Sequence, residues 1–185
     1  MTARRILHDI LERVLSAIRH FLPTIDGRRY RVTPMLSNYV GEEKPGNSVW
    51  HNSHVRYLTE AERAPFALTF RDGTIRDADG SLYDTTDAVS LHADSGRAIF
   101  VMDADGNFYA AKDHRQGKFH HSSLVAGAPV AAAGELAVVR GILIAISDKS
   151  GHYRPRRPFT AQAIDRLEKN NISLQRVTRD LVGKP

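Results

Sequence analysis

Gly96-Arg97-Ala98-Ile99-Phe100-Val101-Met102-Asp103-Ala104-Asp105-Gly106-Asn107-Phe108-Tyr109-Ala110-Ala111 is the stretch that decides the fold. Ala98 to Met102 is a continuous apolar run of strand length, the pattern of a strand buried on both faces. Asp103-Ala104-Asp105-Gly106 then supplies a turn, with Gly106 free to take the positive φ that a tight hairpin needs. Phe108 to Ala111 reads as the returning partner. Asp77-Ala78-Asp79-Gly80-Ser81-Leu82-Tyr83 echoes this pattern and predicts a second tight turn. An Asp-x-Asp-Gly pair also suggests calcium. The twelfth position of an EF-hand loop, where a bidentate Glu belongs, falls here on Ala88 and His114, so hairpin turns are the better reading.

The β pattern extends outward from this hairpin. Phe66, Leu68 and Phe70 alternate before Arg71-Asp72-Gly73, a strand followed by a turn. Val138-Val139 and Ile142 to Ile146 flank Arg140-Gly141 as another hairpin. Thr160 to Asn170 reads as a helix, with Thr160 as its cap and Ala163, Ile164 and Leu167 as its apolar face. Leu174 to Val182 is a final strand or a frayed tail. Residues 23–65 are mostly irregular. They contain a short turn capped by Thr59 and the sole tryptophan, Trp50, between His51 and His54.

Near the start, Leu7, Ile10, Leu11, Val14, Leu15 and Ile18 recur at helical spacing until Pro23. Such a helix docks on a core. Calmodulin targets and membrane-surface helices share the basic amphipathic pattern, although Asp9 and Glu12 interrupt it here. The expected architecture is α+β: a mainly antiparallel sheet with an N-terminal amphipathic helix over 1–25 and a C-terminal helix, residues 26–185 forming a single domain. No βαβ alternation or glycine-rich phosphate loop supports a nucleotide-binding α/β fold.

Composition narrows the classes. The chain has 185 residues, 42% of them hydrophobic, and a formal net charge of +5. The positive charge is scattered and permits an acidic partner, but no dense basic stripe demands nucleic acid. With no cysteine, thiol catalysis, disulfides and cysteine-bound metals are excluded. No apolar run is long enough for a transmembrane helix, and charges within residues 2–22 break up any signal-peptide core.

Two polar clusters flank the second hairpin. The first is Lys118-Phe119-His120-His121-Ser122-Ser123; the second is Ser150-Gly151-His152-Tyr153-Arg154-Pro155. If the first is extended, Phe119, His121 and Ser123 share one face and Lys118, His120 and Ser122 the other. His121 and His152 suit acid–base work near neutral pH, and Ser122 becomes a nucleophile if a histidine lies beside it. Glu135 is the nearest carboxylate in sequence. Lys118, His120, Ser123, Ser150, Tyr153 and Arg154 are candidate ligand-binding residues, with Arg154 able to clamp a phosphate or carboxylate bidentately. Each histidine and serine also has a structural reading, satisfying buried backbone at a strand end. The spacing of His114, His120, His121 and His152 matches no zinc motif, so no metal ligands are assigned. The small-residue run Ala126 to Gly134 allows close approach of another backbone or a ligand.

Taken in order, Gly117-Lys118-Phe119-His120-His121-Ser122-Ser123-Leu124-Val125-Ala126-Gly127, Ala131-Ala132-Ala133-Gly134-Glu135-Leu136 and Lys149-Ser150-Gly151-His152-Tyr153-Arg154-Pro155 resemble a C-terminal domain of bacterial polymorphic toxins and effectors. The same signature is similar to one in plant IQ-motif calmodulin-binding proteins. The toxin resemblance implies a secreted module, or one delivered into a target cell's cytoplasm, with an immunity protein as partner. The chain carries no IQ motif, so calmodulin binding through that motif is not implied. The expected function is an enzymatic toxin on a nucleotide-type or anionic substrate. An ADP-ribosyltransferase-like use of NAD comes first, with serine at the nicotinamide ribose, Arg154 on the phosphates and Glu135 as catalytic glutamate. A histidine-dependent nuclease is a rival. The alternative is a non-catalytic module that binds a phosphorylated ligand or a host protein.

Overall fold

A computed structural model of the protein describes residues 30–92 and 96–184. The amphipathic segment expected over 1–25 lies outside the described residues. The seven strands are β1 (Ala67–Arg71), β2 (Thr74–Arg76), β3 (Ala98–Met102), β4 (Phe108–Ala111), β5 (Ala132–Val139), β6 (Ile142–Ser147) and β7 (Thr178–Asp180). They form one sheet in the order β2-β1-β4-β3-β5-β6-β7. Every neighbouring pair is antiparallel except β6 with β7. The fold is α+β in this coarse sense, a mostly antiparallel sheet with few helices.

Strand β3 sits at the centre, and its alternation explains its unbroken hydrophobicity. Ala98, Phe100 and Met102 join one core with Phe108, Leu136, Ile146 and Leu167. Ile99 and Val101 point the other way, into a second core with Leu124, Val125, Ala133 and Tyr153. Both faces are covered, so no β3 position tolerates a polar side chain. The first core is closed by α2 (Arg157–Lys169) through Ala163 and Leu167; the second is closed by a 3-10 turn over His121–Val125. Each fully buried aliphatic side chain contributes about 1.5–3 kcal/mol.

The sheet also curls. The Ile75 N–H donates to the Gly141 carbonyl, the Gly141 N–H to the Tyr83 carbonyl and the Thr85 N–H to the Val138 carbonyl, each at 2.8 Å. The chain after β2 is thereby laid along the β5–β6 hairpin, which satisfies backbone groups that an open edge would expose.

Local chemistry sets the boundaries. A single helical turn, α1 (Glu60–Arg63), begins with a capping box: the Glu62 N–H donates to Thr59 Oγ1 at 3.3 Å, and Glu62 Oε2 accepts from the Thr59 N–H at 2.9 Å. Pro65 and Phe66 belong to a 3-10 turn, Ala64–Phe66, so β1 starts at Ala67. Both Asp-Gly turns close as read, with the Gly80 N–H on Asp77 O (3.1 Å) and the Gly106 N–H on Asp103 O (3.2 Å). The Asp103 carboxylate accepts from the Asp105 and Asn107 N–H groups at 2.9 Å and so braces its own turn. Helix α2 starts earlier than Thr160. Pro158 lies in its first turn, where a missing N–H costs nothing, and Thr160 is a buried interior residue rather than a cap. Leu174 to Val182 contains β7, which lies parallel along β6.

Candidate functional site

The two polar clusters do meet, but around a residue the sequence did not single out. Glu42 is 0% exposed. Its Oε1 accepts from Ser122 Oγ at 2.6 Å and from the Tyr57 hydroxyl at 3.3 Å. Oε2 accepts from Trp50 Nε1 at 2.9 Å and pairs with His152 Nε2 at 2.8 Å. Burial pushes the Glu42 carboxyl up, but hydrogen bonds from His152, Ser122 and Trp50 outweigh it and hold the group below the usual carboxylate range. A buried carboxylate with several donors is the arrangement in which a charge survives in the interior.

A strap over residues 36–58 brings Glu42 into place. The Leu36 N–H donates to His152 O (2.8 Å), the Arg56 N–H to Lys118 O (2.9 Å) and the Leu58 N–H to Ser123 O (3.0 Å), so the strap crosses both motif loops. Asn47 folds its middle: Oδ1 accepts from the Val49 and Trp50 N–H groups at 2.9 and 2.8 Å. Rings then pack in series. Tyr39 stacks on His152 with centroids 4.0 Å apart, His152 meets His120 at 4.4 Å, and Trp50 stacks on His120 at 5.2 Å. The imidazoles of His114 and His120 are joined at 3.0 Å.

His114, His120 and His121 are held neutral. Burial, then the neighbouring histidines, lowers His114 to about 3; burial and His152 lower His120 to about 4. Complete burial holds His121 well below its usual range. The tautomers follow. His120 Nε2 accepts from the Gly117 N–H at 2.9 Å, so its hydrogen sits on Nδ1 and points at His114 Nε2. His114 then carries its own hydrogen on Nδ1, opposite the Leu91 N–H at 3.3 Å. Two neutral rings cannot satisfy all three contacts, and the longest one gives way.

The first cluster is a 3-10 turn rather than an extended strand, so the expected alternation of faces does not hold. His120, His121, Ser122 and Ser123 are all buried, while Lys118 is exposed. His121 Nε2–H donates to the Gly134 carbonyl at 2.8 Å. Ser123 Oγ accepts from the His120 N–H at 3.0 Å. In the second cluster, the Tyr153 hydroxyl donates to Ala128 O at 2.8 Å. Ser150 is buried with its Oγ unpartnered among the described residues, and Arg154 is exposed at φ +39°. Glu135 does not join this knot. It accepts from Ser90 Oγ and Ser147 Oγ, with Arg97 at 3.7 Å. Gly134, in the small-residue run, is where another backbone comes close: a Cβ there would collide with the Ser147 carbonyl.

Sequence reasoning missed Glu42, Tyr39, Tyr57 and Asn47. The available signal was the lone Trp50 in a polar segment, together with two histidine-serine clusters that lack a carboxylate of their own. Among the described residues, no group of three His, Asp or Glu is placed to hold a metal ion, and no helix is long and apolar enough to cross a membrane.

This geometry bears on the expected chemistry. Ser122 Oγ is bonded to Glu42, so among the described residues it is not paired with a histidine as the expected nucleophile would be. Glu135 and Ser122 are held in separate networks, so the serine–glutamate pairing expected for ADP-ribosyl transfer is absent among the described residues. The comparisons overturn the toxin assignment itself. Residues 62–158 match the IQ motif-containing protein middle domain. The chain is similar to IQ domain-containing protein IQM1 of Arabidopsis thaliana, 33% identical over 146 residues, which are 78% of this chain and 28% of that protein. It is also similar to IQM4 of the same plant, 30% identical over 78% of this chain and 26% of that protein, and to IQM3, 34% identical over 66% of this chain and 26% of that protein. The chain thus spans only about a quarter of the length of the curated relatives it matches. No solved structure matches it. The enzymatic toxin or effector reading, the immunity-protein partner and the secreted or delivered localisation all fall with the bacterial assignment. Setting calmodulin aside for want of an IQ motif is corrected too, because the relatives are named for that domain. By its sequence and its matched span, the chain belongs to the IQ motif-containing protein middle domain family.

Proposed function

We propose that the chain is a non-catalytic binding module of an IQ-type protein, and that its ligand is phosphorylated. One observation carries the reading. The reactive atoms of the residues suited to chemistry are engaged inside the fold: Ser122 Oγ and His152 Nε2 at Glu42, His121 Nε2 at the Gly134 carbonyl, and Glu135 at Ser90 and Ser147. A general base or nucleophile must reach its substrate; these side chains are buried and fix two loops instead. Arg154, the charged residue of the second loop, faces outward.

The test is to incubate the protein with a pool of phosphorylated metabolites and their unphosphorylated counterparts and to follow the bound and free fractions by mass spectrometry. The proposal expects a phosphorylated compound retained on the protein and recovered unchanged. Time-dependent conversion would overturn the non-catalytic reading, and retention of unphosphorylated compounds alone would overturn the ligand class.

A second reading concerns residues 3–22. Their helical apolar spacing and basic character suit a calmodulin-docking helix, and the relatives' names point to the same partner class. Calorimetric titration with Ca²⁺-calmodulin should give binding to the full chain that is lost in Leu11→Glu. Equal affinity for the two would contradict it.

A further inference from the structure

A cavity of about 520 Å3 opens between the loop that follows β6 and the C-terminal segment, with Lys149, Ser150, Arg154, Arg156 and Lys184 in its lining. That volume is in the range of small-molecule sites. Among the described lining residues four side chains are cations and Asp148 is the one carboxylate. Asp148 is already committed, its Oδ1 accepting from the Val182 N–H at 2.7 Å and its Oδ2 from the Gly183 N–H at 2.9 Å. Lys149 is held by Asp180 at 2.6 Å. The surplus of positive charge therefore lies with Arg154 and Lys184.

Further features favour an anion. Helix α2 begins beside the cavity with no acidic residue in its first turn and no side-chain cap at Arg156, its Arg157 N–H donating to the Lys184 carbonyl at 2.9 Å, so its dipole adds positive potential to this corner. Ser150, in the wall and 5% exposed, has an Oγ with no hydrogen-bond partner among the described residues, an uncommon state for a buried hydroxyl. Arg154 is held in the left-handed region at φ +39°, a conformation that a long side chain adopts only where its surroundings impose it. Pro155 and Val182 supply apolar surface for the organic part of a ligand.

We propose that this cavity binds the phosphate group of a small phosphate monoester, with Arg154 and Lys184 as its charged contacts, Ser150 Oγ as a neutral donor and the start of α2 behind it. The inference rests on the reading of the chain as a binding module for a phosphorylated ligand and gives that ligand a place. A phosphate dianion answers this setting better than a single carboxylate, because it offers three acceptor oxygens and close to two charges.

The test is calorimetric titration of the full chain with inorganic phosphate, with glucose 6-phosphate and AMP, and with glucose and adenosine as unphosphorylated counterparts. The same titrations are made on Arg154→Gly, Lys184→Gln and, as a control away from the cavity, Arg71→Gln. Arg154→Gly removes the guanidinium while suiting the positive φ, so it should fold. The expected result is that a phosphorylated probe binds, its counterpart does not, and affinity drops at least about tenfold in each cavity variant but not in the control. Binding of inorganic phosphate as tight as that of both monoesters would overturn the organic-ligand part. A phosphorylated probe bound equally by Arg154→Gly and Lys184→Gln would overturn the cavity assignment while leaving the binding-module reading intact. No binding of any phosphorylated probe at millimolar concentration would overturn the monoester class, whereas the metabolite incubation judges the module reading separately. If a phosphopeptide alone bound, and was lost in both cavity variants, the ligand would be a protein and the small-molecule proposal would fail.

Discussion

Within Ser150-Gly151-His152-Tyr153-Arg154-Pro155 two neighbouring halves behave differently. His152 and Tyr153 turn inward, to Glu42 and to the Ala128 carbonyl. Arg154 turns outward into the lining of a cationic cavity, on a backbone that disfavours it. The inner half is satisfied hydrogen bond by hydrogen bond; the outer half carries an orphan hydroxyl and a surplus of charge. A motif that looks like one site is therefore part scaffold and part binding surface. Substitutions on the two sides should separate cleanly, the inner ones reducing stability and the outer ones reducing affinity.

The largest effect should come from Glu42→Ala. It leaves Ser122, Tyr57, Trp50 and His152 in the interior without their shared partner, and each buried polar group left unsatisfied costs about 1–3 kcal/mol. Equilibrium urea unfolding should show a much lower midpoint, and a loss below about 1 kcal/mol would remove Glu42 from the centre of the scaffold. Gly134→Ala comes next, at about 3 kcal/mol, because the added methyl must displace the Ser147 backbone. A wild-type melting temperature would contradict the close approach of β5 at Gly134 to the end of β6 at Ser147.

Acidification offers a graded test of the scaffold. His114, His120 and His121 are neutral when folded, but in the unfolded chain they protonate near pH 6.5. Their contribution is complete above that pH. It falls as pH drops through the window between 6.5 and the folded values of about 4 for His120 and about 3 for His114. The slope is on the order of 1.4 kcal/mol per pH unit for each ring. Glu42, held low in the folded state, adds a loss of the same sign at the acid end. Stability measured from pH 7 to 5 should fall steeply, and a flat profile would place these rings in water. The smallest expected effect on stability is that of Arg154→Gly, within about 0.5 kcal/mol of wild type, since it removes an exposed side chain and eases a positive φ. A large loss there would make the outer half scaffold as well.

The sheet was legible because its signals are local. Ala98 to Met102, the Asp-Gly turns and the Arg140-Gly141 hairpin each declare themselves within a few residues. The start of α2 was misplaced because Thr160 imitates a cap, while the true marker was Pro158 in the first turn. The extended reading of residues 118–124 failed because a 3-10 turn has no period-two signature in so short a segment. The site was half legible. Its histidines and serines stood out, but their anchor lies 80 residues from Ser122 and 110 from His152, in a segment without regular structure. No spacing rule connects positions so far apart; only the folded strap does. The enzymatic reading followed from treating accessible-looking His and Ser residues as reactive before their partners were known.

A double-mutant cycle on Glu42 and His152, using Glu42→Gln, His152→Gln and the pair in urea unfolding, tests the central claim most directly. The account predicts a coupling of about 1.5 kcal/mol or more, because each single change leaves a buried partner unsatisfied and the double change does not. Additive effects, with coupling near zero, would mean that the two residues do not hold the motif loops together and would contradict it.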